Sequence, residues 1–114
     1  MKGVYSNTCT TPDQAWALIC HHINNQFLSV RLATQKKRDD WENRVASSRA
    51  EFVGHLCMIS KQMNGYGYYG VAAQVEQILV LATGDVTDPK VQDAVYAVYD
   101  KHYKNFQESQ ATNA

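Results

Sequence analysis

The chain has 114 residues, of which 45% are hydrophobic and 19% charged, and its 11 lysines and arginines balance 11 aspartates and glutamates. This length suits one domain with a modest core and is too short for two. A net charge of zero gives no overall field that would attract nucleic acid or anionic lipid, so charge favours neither class of partner.

The cysteines predict the redox setting. Cys9, Cys20 and Cys57 are odd in number, form no Cys-x-x-Cys pair and follow no hydrophobic signal segment. We therefore expect a reducing, cytoplasmic location. The longest aliphatic run, residues 78–82, is far shorter than the roughly 20 residues that cross a bilayer, so no membrane-spanning protein is expected.

A first helix is predicted from Pro12 to about residues 33–34. Thr11 supplies a hydroxyl cap, Pro12 suits the first helical position, and Asp13 places an acid near the positive helix end. The polar leader, residues 1–10, is left open between disorder and docking in a groove. The predicted core stripe is Trp16, Ile19, Ile23, Phe27 and Val30.

Residues 36–64 predict a long central helix. We prefer a break before Lys36, because an uncapped helix over residues 12–64 would need a partner along its whole side; that continuous helix stays the alternative. Gly54 would mark a close helix crossing or a bend. The core stripe is Trp41, Val45, Ser48, Phe52, Leu56, Ile59 and Met63, flanked by Ala46, Ala50, Val53 and Cys57.

A glycine-rich turn separates the central helix from a third one. Residues 64–67, Asn-Gly-Tyr-Gly, predict a left-handed glycine cap, since glycine has no Cβ to oppose that conformation. Gly84 is expected to close the third helix at positive φ. The third stripe is Tyr68, Val71 or Ala72, Val75, Ile78, Leu79 and Ala82.

A fourth helix is predicted from Pro89 to about Gln107, capped by Asp88 or Thr87. Residues 1–10 and 108–114 are expected to be flexible. The core stripe of the fourth helix is Val91, Val95, Val98, His102 and Phe106, with Tyr96, Tyr99 and Tyr103 adjoining. Together the elements predict an all-α fold: one domain over residues 1–114, a four-helix, mostly antiparallel bundle with a long central helix.

Tyrosines beside the glycine turn are the main candidate for a binding site. Residues 65–70 match the pattern G-x-G-x-x-G, but the dinucleotide fingerprint follows a buried strand, whereas residues 60–64 are a polar helix end. Tyr66, Tyr68 and Tyr69 instead form an amphipathic patch that is typical of protein interfaces. The alternative is that the tyrosines only cover the end of the bundle.

Tyr96, Tyr99 and Tyr103 on the fourth helix are a second candidate interface. Completion of the core is the favoured alternative for these rings, because tyrosine commonly buries its ring and leaves its hydroxyl in water.

The histidines raise a metal hypothesis. His21 and His22 are neighbours that point about 100° apart on a helix, whereas Glu51 and His55 share one side at i,i+4. Candidates for further ligands are His22, His102 and Asp100. Nothing in the spacing requires a metal, so we predict neither a metal site nor a cofactor.

Lys36, Lys37 and Arg38 form a basic cluster, but Asp39 and Asp40 follow it directly. A solvated helix start explains this pattern as well as nucleic-acid binding does, so the cluster is kept as an alternative site.

We predict a small, non-enzymatic protein–protein interaction module without a cofactor, because no polar side chains have catalytic spacing. By size and character alone it resembles the accessory proteins of phages and plasmids, including anti-CRISPR inhibitors. The alternatives are a nucleic-acid-binding helical protein and a metal- or cofactor-binding bundle. Homo-oligomerisation is left open, because a second copy could cover the part of the long central helix that its own chain leaves exposed.

Overall fold

The computed structural model describes residues 9–36 and 41–113, which contain four α-helices and no strand. The helices are α1 (Pro12–Lys36), α2 (Trp41–Gly65), α3 (Tyr69–Ala82) and α4 (Pro89–Asn113). The predicted all-α fold is thereby confirmed. None of the helices, as far as their residues are described, is both long and apolar enough to cross a membrane.

The side chains of Thr11 and Gln14 hold the start of α1 by accepting hydrogen bonds from backbone N–H groups nearby. The backbone N–H of Gln14 donates to Thr11 Oγ1 at 3.4 Å, and Gln14 Oε1 accepts from the Thr10 backbone N–H at 2.9 Å. Exchanges of this type satisfy N–H groups that lack an intrahelical acceptor. The predicted start at Pro12 is confirmed, and α1 continues to Lys36, slightly beyond its expected end.

The chain turns back between α1 and α2. The rings of Phe27 and Phe52 lie 6.3 Å apart, and Ser48 Oγ donates to Gln26 Oε1 at 2.8 Å. In one continuous helix, Phe27 and Phe52 would be roughly 37 Å apart. The alternative of a single helix over residues 12–64 is therefore wrong, and α2 begins at Trp41, not at Lys36.

All four helices contribute to the core. The contacts run from α1 to α2, α2 to α3, α3 to α4 and α1 to α4. On α2 the predicted flank is too wide, because Ala46 and Ala50 are exposed. The large side chains that are fully buried are Trp16, Phe27, Ile19, Ile23, Leu56, Ile59, Met63, Ile78, Val30, Val75, Val86 and Val95. This set contains the whole predicted stripe of α1 and much of the stripes of α2 and α3.

The end of the leader docks against α2. Cys9 is fully buried, and its backbone N–H donates to Gln62 Oε1. Burial raises the pKa of the Cys9 thiol, which disfavours the reactive thiolate. Residues 1–8, the rest of the leader, lie outside the described residues.

The end of α2 is a Schellman motif centred on Gly67. Gly67 has φ of 88°, its N–H donates to Asn64 O at 3.1 Å, and the Tyr68 N–H donates to Met63 O at 2.8 Å. These two bonds satisfy carbonyl groups at the helix end. The predicted left-handed glycine cap is confirmed, with Gly67 as the residue that adopts it.

The turn between α3 and α4 differs from expectation in one respect. Among the described glycines positive φ occurs at Gly67 only, so the expectation for Gly84 is wrong. The Thr83 hydroxyl instead donates to Val80 O at 2.6 Å beside the end of α3. Asp88 Oδ1 accepts the Lys90 N–H at 2.9 Å, which confirms an aspartate cap for α4.

The fourth helix extends beyond Gln107 to Asn113. Residues 108–113, expected to be a flexible tail, contain no glycine or proline and include glutamate, glutamine and alanine, which favour helix. Helical propensity thus carries α4 past its last core residue.

Replacing Gly67 and Gly54 by alanine should shift stability in opposite directions. We expect Gly67→Ala to lower the free energy of unfolding by about 1–2 kcal/mol, because Cβ opposes positive φ. Gly54 is exposed inside α2, and no described atom beyond its own stretch of helix lies within 4 Å of an added Cβ, so no close crossing occurs there. Gly54→Ala should therefore stabilise by up to about 1 kcal/mol. Urea unfolding followed by circular dichroism tests both; equal shifts would contradict this account.

Candidate functional site

Three exposed tyrosines stand at the connection between α2 and α3, which we call the tyrosine turn (residues 66–69). The exposed fractions are 57% for Tyr66, 39% for Tyr68 and 69% for Tyr69. The two Schellman hydrogen bonds fix the backbone between these rings, and Tyr69 is the first residue of α3. The expectation that Tyr68 belongs to the core stripe of the third helix is wrong, because this residue precedes the helix and faces solvent.

The α4 tyrosines lie in a different environment. Tyr99 is only 8% exposed and contacts the Trp16 ring edge to face, with ring centroids 6.0 Å apart. Burial, followed by a hydrogen bond with Cys20, raises the pKa of Tyr99. The ring is thus part of the core, and Tyr99 leaves the set of candidate binding residues.

The neighbours of Tyr99 are partly buried. Tyr103 stacks on Tyr99 with ring centroids 5.7 Å apart, and the Tyr96 hydroxyl donates to Asn24 Oδ1 at 3.0 Å. Both rings therefore line the edge of the core and offer less surface to a partner than Tyr66 or Tyr69.

His102 is a core residue whose ring contact is with Trp16 and not with another histidine. It is 8% exposed, stacks on Trp16, and its Nε2 is hydrogen-bonded to Gln77 Oε1 at 2.7 Å. Burial, with a smaller effect of Lys101, lowers its pKa. In residues 9–36 and 41–113, no three His, Cys, Asp or Glu side chains are grouped to hold a metal ion.

A polar cleft of about 280 Å³ opens between α1 and α2, and we call it the α1–α2 cleft. It brings together Glu51, His55 and His22, which the sequence had suggested as candidate ligands, with polar residues that the sequence analysis did not single out for a site. The lining residues are His22, Asn25, Gln26, Ser48, Glu51, Phe52 and His55.

The imidazoles of His22 and His55 are stacked face to face. Their ring centroids are 4.0 Å apart, and the planes differ by 9°. A nitrogen lone pair lies in the plane of its ring, so two parallel rings cannot direct lone pairs at one ion. Burial, then the proximity of His55 and His21, lowers the pKa of His22 to about 4, so this imidazole is neutral at neutral pH.

Gln26 carries an amide into the wall of the α1–α2 cleft. The residue is 3% exposed, and its Oε1 accepts the Ser48 hydroxyl. Gln26 Nε2 and His22 Nε2 are both buried without a hydrogen-bond partner among the atoms that the structure describes. Sequence analysis missed Gln26. A polar residue directly before Phe27, four positions after His22, was the pattern that could have drawn attention to it.

The basic cluster remains a prediction. Lys36 is the last residue of α1, its side chain is not described, and Lys37 and Arg38 lie outside the described residues.

Comparisons of the chain with protein-family models, with curated proteins and with solved structures find no match. We therefore argue function from the contacts and exposures of the chain's own residues.

The lowered pKa of His22 predicts that stability depends on pH. Between about pH 6.5 and about pH 4 the unfolded state binds a proton at His22 that the folded state does not, so the free energy of unfolding should fall as pH falls. Above about pH 6.5 His22 is neutral in both states, and the free energy of unfolding has not yet suffered this loss. Solvent screening at this partly exposed site keeps the loss at about 1–2 kcal/mol, below the full 1.36 kcal/mol per pKa unit.

Urea unfolding at about pH 7 and about pH 4.5 checks this prediction. His22→Gln should remove this part of the loss, whereas His21→Gln, at the exposed neighbouring position, should keep it. An identical loss in wild type and His22→Gln would contradict the assignment.

Proposed function

We propose that this protein is a small, non-enzymatic interaction module of the cytoplasm that binds another protein through the tyrosine turn. The observation that carries the proposal is the exposure of Tyr66 (57%) and Tyr69 (69%) on one structured turn. Aromatic rings of this size bury about 150–250 Å² each when covered, which makes them effective anchors of an interface.

The backbone of the tyrosine turn is already ordered, so little conformational entropy is lost when a partner binds. Gly67 and Tyr68 donate hydrogen bonds to the end of α2, and Tyr69 is held in α3. Binding then immobilises only the side chains, and tyrosine has few rotatable bonds to lose. Tyr66 and Tyr69 are the proposed anchors, and the less exposed Tyr68 is a secondary contact.

The described residues of the α1–α2 cleft support a non-enzymatic reading. The Ser48 hydroxyl is hydrogen-bonded to the Gln26 amide and, among the described residues, to no imidazole. Activation of a serine nucleophile requires a hydrogen bond to a general base. Our proposal therefore assigns no catalytic residue.

We also infer that the helices form a mostly antiparallel bundle. A later residue of α1, Phe27, packs on Phe52, whereas an earlier one, His22, stacks on the later His55 of α2. This reversed order supports antiparallel packing. The 25 residues of α2 and its contacts with both α1 and α3 support its assignment as a long central helix.

An inhibitor or an accessory protein of a phage or plasmid, including an anti-CRISPR inhibitor, would act through such a surface by covering a site on its target. No feature of the described residues bears on that origin, and it stays a prediction. The following experiment also distinguishes nucleic-acid binding through Lys36, Lys37 and Arg38 from self-association. Binding of a metal or cofactor stays an alternative prediction.

The test is capture of partners from source-cell lysate by the tagged full chain, with and without nuclease. We expect the double variant Tyr66→Ala/Tyr69→Ala to recover at least about tenfold less partner protein than wild type, because loss of two anchors removes about 1.4 kcal/mol or more. Circular dichroism should show unchanged helix content, since both rings are exposed.

Val80→Ala is the matched control, because Val80 is also 69% exposed but lies on α3 away from the turn. It should capture partner at the wild-type level. Undiminished capture by the double tyrosine variant would overturn the proposal. Recovery of nucleic acid that is lost at higher salt would favour the basic cluster, and recovery of the chain itself would indicate self-association.

A further inference from the structure

The α1–α2 cleft is lined by residues whose buried polar atoms lack hydrogen-bond partners, which is unfavourable in free energy. A buried amide or imidazole atom without a hydrogen bond costs about 1–3 kcal/mol. Gln26 Nε2 and His22 Nε2 are two such atoms among those described, and both residues line the same cleft. Its volume of about 280 Å³ greatly exceeds the roughly 30 Å³ of one water and approaches that of small-molecule sites.

The Gln26 amide, in a residue that lines the cleft, keeps one polar atom without a partner whichever way it is turned. In one orientation Oε1 accepts from Ser48 and Nε2 has no partner within the described set. In the other, Nε2 donates to the Ser48 oxygen, and Oε1 becomes the atom without a partner. One orientation of this amide therefore leaves a carbonyl acceptor without a partner in the wall of the cleft.

Charge selects the kind of ligand. Glu51 is the only charged residue among the described residues that line the cleft, and it is exposed at the rim. No lysine or arginine is in this set, so a phosphate or carboxylate ligand would meet the Glu51 carboxylate without a lysine or arginine to pair with. The His22 imidazole is neutral at neutral pH, so it adds no positive charge to the cleft and keeps one nitrogen lone pair as an acceptor.

A single metal ion does not suit these residues. The rings of His22 and His55 are nearly parallel, at 9°, so their lone pairs do not converge. A ligand with several N–H donors spread over a few ångströms matches the separate acceptors better.

We propose that the α1–α2 cleft binds a small organic cation of the guanidinium or primary-amine class. Its N–H groups donate to the Glu51 carboxylate, to His22 Nε2 and to Gln26 Oε1. The imidazole of His55 is partly exposed, lines the same cleft and stacks on His22 with one face. A planar guanidinium or its alkyl chain packs favourably on an aromatic ring of this kind. The site shares no residue with the tyrosine turn, so either proposal can fail alone.

The test is an NMR titration of the ¹⁵N-labelled full chain with butylguanidinium and with butylurea, its neutral analogue of nearly equal shape. We expect backbone amide shifts centred on His22, Gln26 and Glu51 and a dissociation constant of about 1 mM or lower for butylguanidinium. Butylurea should bind at least about tenfold more weakly, because it lacks the charge that pairs with Glu51.

Glu51→Gln should weaken butylguanidinium about tenfold or more while leaving the fold intact, since this side chain is exposed. Asp93→Asn, which removes an exposed acid from α4, should bind as wild type does. Gln26→Leu should abolish binding; if it does not fold, Glu51→Gln still decides. Equal binding of the two probes, no shifts at about 10 mM, or unchanged binding in Glu51→Gln would overturn the proposal.

A free small molecule and an arginine of a partner protein carry the same chemical group. Partner capture by Glu51→Gln distinguishes these sources once butylguanidinium binding is established. Loss of a captured protein in this variant would indicate an arginine side chain of that protein as the natural cation, and retained capture of every protein would favour a free small molecule.

Discussion

Burial of one face of α1 is the interaction on which the rest of this structure depends. The stripe from Trp16 to Val30 is at most 2% exposed and reaches both α2 and α4. Full burial of each large side chain contributes about 1.5–3 kcal/mol. Five such residues therefore supply a gross term as large as the net stability of about 5–15 kcal/mol that is typical of a domain. Tyr99 and His102 are held in place because they pack on Trp16.

The α1–α2 cleft exists because the edge of that stripe is polar. His22 and Gln26 lie beside the apolar residues of α1, and they meet Ser48 and His55 of α2. An amide, a hydroxyl and imidazoles cannot fill space as densely as interlocking aliphatic side chains while keeping hydrogen-bond geometry. The helices therefore meet closely at Phe27 and leave an opening along the polar edge. The same residues that weaken the packing create the acceptors of the proposed cation site.

Local patterns predicted the parts of the fold that depend on neighbouring residues. The period of α1, its start at Pro12 and the cap at Asp88 follow from side-chain spacing and helix-end chemistry, and the structure has them. The cleft could not be predicted, because it depends on which residue of α2 faces Gln26. Tyr99 was equally ambiguous, because its burial depends on Trp16, which is distant in sequence.

The polar edge of α1 also fixes the register of α2 along α1 more strictly than an apolar edge would. If α2 slid by one turn along α1, Gln26 would lose its bond to Ser48 while staying buried, and the cost would be about 1–3 kcal/mol. Leucine in both positions would tolerate the slip with a smaller loss. Fixing the register of α2 also fixes where its C-terminal end lies, and the Gly67 cap then sets the direction of the chain beyond it. A single, partly buried hydrogen bond thus helps to decide where the exposed tyrosines stand relative to the core.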